Sequence, residues 1–132
     1  MYINPSLANC DILLCLINSI LDFTQEEFDE NPRMNYEAVD IIKEVTSLCP
    51  TFKMRAQIRK IKWICKIDRL IPTTFNTDAG RLKRILINLI GNSFKFTTKG
   101  FVKMNLSLIK VLDKDAIKIS ITDTGRGISK KD

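Results

Sequence analysis

Apolar residues recur at intervals of three and four along residues 1–30, which predicts an amphipathic helix with a coiled-coil-like seam. Further leucine and isoleucine side chains widen the apolar face, so this helix requires partners on more than one side. The acidic segment DFTQEEFDENPR and its Asn31-Pro32 pair end the helix. We expect residues 1–30 to be one helix of a bundle whose hairpin partner lies outside this chain; the alternative is an ordinary core helix docked on the following domain. The seam consists of Leu7, Cys10, Leu14, Ile17, Leu21, Thr24 and Phe28.

A second helical period runs from Ile41 to Ala56 and contains Pro50. Because proline removes a helical hydrogen bond, we expect a kink or two consecutive helices there. A basic, strand-like segment follows around residues 63–67, and Ile71-Pro72 ends it.

The segment NTDAGRLKRILINLIGNSFKF again has a helical period, with Thr77 or Asp78 as the N-terminal cap. The sequence TTKG ends this helix. Its predicted buried stripe consists of Leu82, Ile85, Leu86, Leu89 and Ser93.

Two alternating segments follow, residues 102–108 and 117–122, with LDKDA as the turn between them. This pattern predicts an antiparallel hairpin with one buried face. The order helix, helix, strand, helix, strand, strand predicts an α+β fold, with helices on one face of a mixed or antiparallel sheet.

The composition is typical of a single globular domain, with or without an appended helix, because 45% of the 132 residues are hydrophobic. The four cysteines lack C-x-x-C spacing and the chain has no histidine, so we expect reduced thiols in a cytoplasmic protein. The longest apolar run is far shorter than a membrane span, and the first residues lack the basic region of a signal peptide.

The charges are unevenly placed along the chain. Residues 1–48 hold nine acidic and two basic residues, a net charge of −7, whereas residues 49–132 hold six acidic and nineteen basic residues, a net charge of +13. The second part therefore favours a polyanionic ligand, or else presents a solvated lysine-rich surface.

A polar stripe interrupts the third predicted helix. Arg81, Arg84, Asn92 and Lys95 all lie within about 40° of Asn88 around the helix axis. Amide oxygens suit Mg²⁺, and a lysine ammonium suits phosphate. The stripe is therefore a candidate metal–triphosphate face; the alternative is an ordinary solvated surface.

The segment ITDTGRGI places an acid at the end of an alternating strand, followed by a G-x-G turn. Glycines allow the backbone to approach a flat ligand closely, and the Asp123 carboxylate can accept a hydrogen bond from an exocyclic amine such as that of adenine. The alternative is a plain turn that begins at Asp123.

Together these segments resemble motifs of the sensor histidine kinases. NLIGNSFKFT (residues 88–97) is similar to their asparagine box, N-L-x-x-N-A-x-K-F-T, and DTGRGI (residues 123–128) to their first glycine box. TDAGRLKRILIN resembles the approach to the asparagine box, and LINSILDFTQ (residues 16–25) resembles the second helix of the dimerisation hairpin.

The resemblance implies a two-layer α/β sandwich of the histidine-kinase and gyrase type, incomplete here, over residues 31–132. It implies ATP binding with Mg²⁺, in which Asn92 holds the metal, Asn88 and Lys95 serve the phosphates and Asp123 reads the adenine amine. Gly125 and Gly127 would shape the adenine pocket. No residue of this chain is expected to be catalytic.

Hydrolysing members of this superfamily carry a glutamate where Asn88 stands, and an amide is no general base at neutral pH. The resemblance therefore implies phosphoryl transfer to a histidine in a two-component phosphorelay, performed by the intact protein. This chain has no histidine, second glycine box or preceding lid, so we expect it to be inactive alone.

The expected partners are ATP, a second copy through the N-terminal helix and, in the intact protein, a receiver domain. The alternative is a non-catalytic relative that binds nucleotide or dimerises with a full-length kinase. Nucleic-acid binding ranks lowest, since only Trp63 and Phe52 could stack bases beside the basic cluster. That cluster comprises Lys53, Arg55, Arg59, Lys60, Lys62, Lys66 and Arg69.

Overall fold

The computed structural model describes residues 33–130 and, within the N-terminal segment, Leu13, Leu16, Ile17, Ile20 and Leu21. These five residues have helical backbone conformation, and their side chains are between 45% and 65% exposed. The rest of the predicted bundle helix, including most of its seam, lies outside the described residues.

Two helices and five strands make up the described domain. The second and third predicted helices, the predicted strand around residues 63–67 and the predicted hairpin are present, whereas two strands of three residues each were missed. The elements are β1 (Glu37–Val39), α1 (Ile41–Arg59), β2 (Lys62–Ile67), β3 (Phe75–Thr77), α2 (Ala79–Phe96), β4 (Phe101–Val111) and β5 (Lys114–Asp123).

The strands form two sheets. A three-stranded sheet has the order β2-β4-β5, with β2 parallel and β5 antiparallel to β4, and a two-stranded antiparallel sheet joins β1 to β3. Both helices contribute buried side chains to one core cluster with β4, whose Val102, Met104 and Leu106 are at most 1% exposed. This arrangement confirms the predicted α+β fold, and the three-stranded sheet is of the mixed type.

Three aromatic rings fix α1, α2 and β2 against one another. The ring of Phe52 on α1 lies 5.6 Å from that of Trp63 on β2 and 5.8 Å from that of Phe94 on α2, measured between centroids. Such pairs contribute roughly 0.5–1.5 kcal/mol each beyond their burial. The guanidinium of Arg59 also donates a hydrogen bond to the carbonyl oxygen of Phe94.

Pro50 does not divide its segment into two helices, so that part of the expectation was wrong. Helix α1 continues through Pro50, and the Asp40 carboxylate caps its first turn by accepting from the Lys43 N–H at 3.0 Å. Pro50 and Thr46 are both exposed, so water can solvate the Thr46 carbonyl that lacks an amide partner. One missing hydrogen bond is therefore tolerated.

The buried stripe of α2 also differs from the expected one. Leu86 and Ser93 are buried as predicted, but Ile85 is 55% and Leu89 50% exposed. Ile90 is buried in their place, as is Phe94. Because α2 carries apolar residues on more than one face, the period alone could not decide which face packs on the sheet.

The β4–β5 turn is tighter than the expected LDKDA segment. Leu112 and Asp113 alone form it, with φ values of 50° and 62°, and Val111 pairs directly with Lys114. Such a two-residue turn with positive φ matches the twist of the strands it joins. Among the described residues, no helix is long and apolar enough to cross a membrane.

Candidate functional site

Asp78 fixes the start of α2, the helix that carries the polar stripe. Its carboxylate accepts hydrogen bonds from the backbone N–H of Arg81 at 3.1 Å and of Asn35 at 3.0 Å. These two bonds, the Arg81 bond foremost, lower the pKa of Asp78 below its ordinary value. Of the two predicted caps, Asp78 is therefore the observed one, and Thr77 belongs to β3.

The other end of α2 is tied to the glycine loop, residues 123–129, through the Thr124 hydroxyl. This hydroxyl accepts from the Phe101 N–H at 3.0 Å and donates to the Lys99 carbonyl at 2.9 Å. Gly100 has a φ of 104°, and a Cβ there would lie 2.0 Å from Thr124 Oγ1. The short turn after α2 therefore needs glycine at this position in order to receive Thr124.

The glycine loop also contacts the last residue of α2 directly. A Cβ at Gly125 would lie 2.7 Å from the carbonyl oxygen of Phe96. The Arg126 N–H donates to this same oxygen at 3.4 Å, and the Gly125 N–H donates to Asp123 Oδ1 at 2.9 Å. The first glycine of the G-x-G turn is thus required by close approach, whereas Gly127 has a positive φ of 72°.

A cavity of about 700 Å³ lies between the C-terminal half of α2 and this loop. Helix α2 contributes one face at helical spacing, and the end of β5 with the loop contributes the opposite side. Asn92 and Asp123, taken from the two separate motifs, line this same cavity. The lining residues are Leu89, Asn92, Ser93, Phe96, Asp123, Arg126, Gly127, Ile128 and Ser129.

Three of the six expected ligand-binding residues line the cavity: Asn92, Asp123 and Gly127. Gly125 is not among the lining residues and lies against the Phe96 carbonyl. The ammonium of Lys95 lies 5.3 Å from the centroid of the Phe96 ring, and Asn88 is exposed one helical turn before Asn92. The structure thus brings the two motifs together, and their binding of a nucleotide stays a prediction.

Sequence reasoning missed the apolar and loop residues of the lining. Leu89, Asn92, Ser93 and Phe96 recur at intervals of three, one and three, so the helical period could have placed them on one face with Asn92. No sequence signal links Arg126 to the cavity. Its guanidinium lies 4.9 Å from the centroid of the Phe96 ring, and Phe96 is thirty residues earlier in the chain.

A second groove and a pair of cysteines lie outside this cavity. A smaller groove of about 280 Å³ lies between β3, the first turn of α2 and β5, and it is largely apolar. Cys49 and Cys65 are free thiols, and burial together with contact to Cys49 raises the pKa of Cys65 to about 12. No group of three or more histidine, cysteine or acidic side chains that could hold a metal occurs in the described part of the chain.

Residues 77–132 match the family model described as histidine kinase-, DNA gyrase B- and HSP90-like ATPase. That range begins at the last residue of β3 and includes α2, the β4–β5 hairpin and the glycine loop. This part of the chain is therefore a segment of such an ATPase domain.

The particular relatives include a hybrid histidine kinase and a sensor protein. The chain is 34% identical over 120 residues to hybrid signal transduction histidine kinase L of Dictyostelium discoideum. The matched region covers 90% of this chain and 7% of that protein. It is 34% identical over 131 residues to the sensor protein EvgS of Escherichia coli K12, covering 98% of this chain and 11% of that protein. The chain thus spans about a tenth of the length of these relatives.

A solved structure has a similar fold. Full-length ShkA in complex with AMPPNP superimposes with a TM-score of 0.73 and 29% sequence identity, covering 90% of this chain and 25% of that one. The chain is thus similar to a segment of histidine kinases that includes part of the ATPase domain.

Proposed function

We propose that this chain binds ATP with Mg²⁺ in the cavity between α2 and the glycine loop. The observation that carries the proposal is that Asn92 and Asp123 line one cavity of about 700 Å³. That volume is within the range of about 300–1,000 Å³ typical of small-molecule sites. A solved relative was crystallised with an ATP analogue, which supports the same ligand class here.

The residues divide between the two ends of the nucleotide. Asp123 would accept a hydrogen bond from the adenine amine, and Gly125 and Gly127 would keep the loop thin enough for the base to approach. Asn92 would supply an amide oxygen to Mg²⁺, and Asn88 and Lys95 would serve the phosphate end. Leu89 and Phe96 offer apolar surface at the cavity wall.

The donor set suits Mg²⁺ bound together with a triphosphate. Mg²⁺ commonly keeps water and phosphate oxygens and takes only one or two protein ligands, so a single amide oxygen from Asn92 is enough. Bound there, the ion would neutralise charge on the phosphate oxygens.

In the intact protein we propose transfer of the γ-phosphoryl group to a histidine, with ADP as the leaving group, followed by relay to a receiver domain. Asn88 cannot act as a general base for water, which favours transfer over hydrolysis. The chain contains no histidine, so the acceptor belongs to another segment or another chain. Positioning and electrostatic stabilisation would then supply most of the catalysis.

The second candidate is a relative that dimerises with a full kinase. Five apolar side chains of the N-terminal segment are at least 45% exposed while in helical conformation, which favours a helix-mediated contact between chains. Residues 1–30 would then form the dimerisation helix and residues 31–132 the partial ATP-binding domain. Nucleic-acid binding remains disfavoured, since Arg55 and Arg59 of the basic cluster are engaged with Phe94.

The direct test of ATP binding is calorimetric titration of the full chain with Mg-ATP, in parallel with thermal melting. Asn92→Ala and Asp123→Asn should each weaken binding about tenfold or more, because each loses a hydrogen bond or metal contact involving charge. Asn76→Ala and Asp113→Asn are matched controls, since both residues are exposed and lie outside this cavity. The controls should bind Mg-ATP as the unmodified chain does.

Equal binding by the unmodified chain and both site variants would refute the assigned site. No binding by the unmodified chain would refute the nucleotide function and leave the dimerising relative. Sedimentation equilibrium then decides that alternative, because Leu16→Asp should convert a dimer to a monomer.

A further inference from the structure

Two cations flank the Phe96 ring at the end of α2. The guanidinium carbon of Arg126 lies 4.9 Å and the ammonium nitrogen of Lys95 5.3 Å from the ring centroid. A cation over an aromatic face within about 6 Å is attracted by the ring quadrupole. Phe96 therefore holds two positive charges, and of these Arg126 lines the cavity.

Arg126 and Asp123 are the charged side chains among the described residues that line the cavity. Among residues 33–130, no ion pair engages Arg126 or Lys95. The cavity thus has two charged groups. The Asp123 carboxylate is a hydrogen-bond acceptor, and the Arg126 guanidinium is a cation whose charge no ion pair offsets. A ligand that matches both must offer a hydrogen-bond donor at one point and an anionic group at another.

The position of Arg126 also leaves its donors available. The contact with the Phe96 ring uses none of the N–H donors of the Arg126 guanidinium, and among residues 33–130 no side-chain hydrogen bond engages them. These five donors form a planar fork. This fork matches two oxygens of a phosphate group. The Arg126 backbone N–H is already bonded to the Phe96 carbonyl, so the start of the side chain is fixed on α2.

We propose that Arg126 is a phosphate-binding residue of this cavity, oriented by the Phe96 ring beneath it. The inference rests on the proposed nucleotide function and adds a residue that neither motif assigns to the ligand. This contact would make the cavity selective for phosphorylated nucleotides over the uncharged nucleoside. Asp123 would bind the adenine amine of either ligand, whereas Arg126 would bind only a ligand that carries phosphate.

The test compares adenosine, Mg-ADP and Mg-ATP as ligands of the full chain, measured by calorimetry. Arg126→Ala should weaken Mg-ADP and Mg-ATP about tenfold or more and change adenosine by less than about twofold. Arg126→Lys should restore part of the loss because it keeps the charge. Lys118→Ala, an exposed residue outside the cavity, controls for the removal of one positive charge and should leave all three affinities unchanged.

Phe96→Leu tests the orienting role of the ring, because it keeps both cations and an apolar side chain but removes the aromatic face. It should weaken the phosphorylated ligands more than adenosine. Equal weakening of all three ligands in Arg126→Ala would mean that Arg126 only shapes the loop, and unchanged affinity for Mg-ATP would mean that it makes no phosphate contact. Either result overturns the inference.

Tripolyphosphate separates this inference from the nucleotide function. In the NMR spectrum of the unmodified chain, tripolyphosphate should shift the Arg126 Nε–Hε resonance, and Lys118→Ala should retain that shift. A shift without any adenosine binding would keep the phosphate contact and refute only adenine recognition. No shift would overturn the inference even where adenosine binds in an Asp123-dependent manner.

Discussion

Replacing Asp78 with alanine should destabilise the domain more than any ordinary helix cap would. Asp78 caps α2 by accepting from the Arg81 N–H, and it also accepts from the Asn35 N–H, 43 residues earlier. Its side chain is 12% exposed, so the groups it leaves behind are poorly solvated. The substitution removes a local and a long-range hydrogen bond at once.

The magnitude follows from the separate contributions. Loss of an N-terminal cap costs about 1 kcal/mol, and loss of a hydrogen bond to a charged acceptor about 1.5 kcal/mol. The ion pair with Arg81, at 3.5 Å, adds only about 0.3 kcal/mol because the arginine is partly exposed. We therefore expect Asp78→Ala to lower the free energy of unfolding by about 2–3 kcal/mol.

Asp40→Ala is the matched control, since Asp40 caps α1 through the Lys43 N–H and is exposed. It should cost about 1 kcal/mol. Urea denaturation monitored by circular dichroism and by the fluorescence of Trp63 measures both values. Equal losses in the two variants would refute the structural role of the Asn35 hydrogen bond.

The contribution of Asp78 to the free energy of unfolding should decrease at low pH. The hydrogen bonds from Arg81 and Asn35 lower the pKa of Asp78 below the unfolded value of about 3.9. Its stabilisation is therefore fully present above the unfolded pKa and is lost as the pH falls through the folded pKa. The stability difference between the unmodified chain and Asp78→Ala should be constant near pH 6 and should narrow below about pH 4.

The remaining predictions concern the glycine loop and the half-buried Cys65 thiol. Gly125→Ala should weaken Mg-ATP binding and lower the melting temperature, because its Cβ would meet the Phe96 carbonyl at 2.7 Å. A Cβ at Gly127 would meet nothing within 4 Å, so Gly127→Ala should lower the free energy of unfolding by only about 1 kcal/mol, because of the positive φ. A larger loss of stability in Gly127→Ala than in Gly125→Ala would contradict this account. Cys65, with its pKa raised to about 12, should react with iodoacetamide at pH 8 far more slowly in the folded than in the unfolded chain, as peptide mass mapping would measure.

The long elements could be predicted from the sequence because each carries a sustained period and a clear end. Helix α2 has 18 residues, with Asp78 before it, and β4 alternates along its buried face. The strands β1 and β3 have three residues each, too few for an alternation to be recognised. They form because residues 37–39 and 75–77 pair across the chain, which is a tertiary effect.

The residues of the candidate site also include some that the sequence could predict and others that it could not. Asn92 and Asp123 could be named in advance because they stand in motifs with a characteristic spacing. Phe96 and Arg126 could not be linked, because their contact depends on the glycine loop meeting the end of α2. The exposed Leu89 shows the same limit, since its place at the cavity is set by how α2 rotates against the sheet rather than by its local period.

The distance between the two motifs is fixed by the β4–β5 register. Val102 pairs with Asp123 at the end of the β4–β5 ladder and is fully buried. A slip of one residue in this pairing would move the side chains of β5 to the opposite face of the sheet. Thr124 then fastens the loop to the turn that follows α2. Because Asn92 is on α2 and Asp123 ends β5, the hydrophobic pattern of the hairpin sets the geometry in which a ligand would meet both side chains.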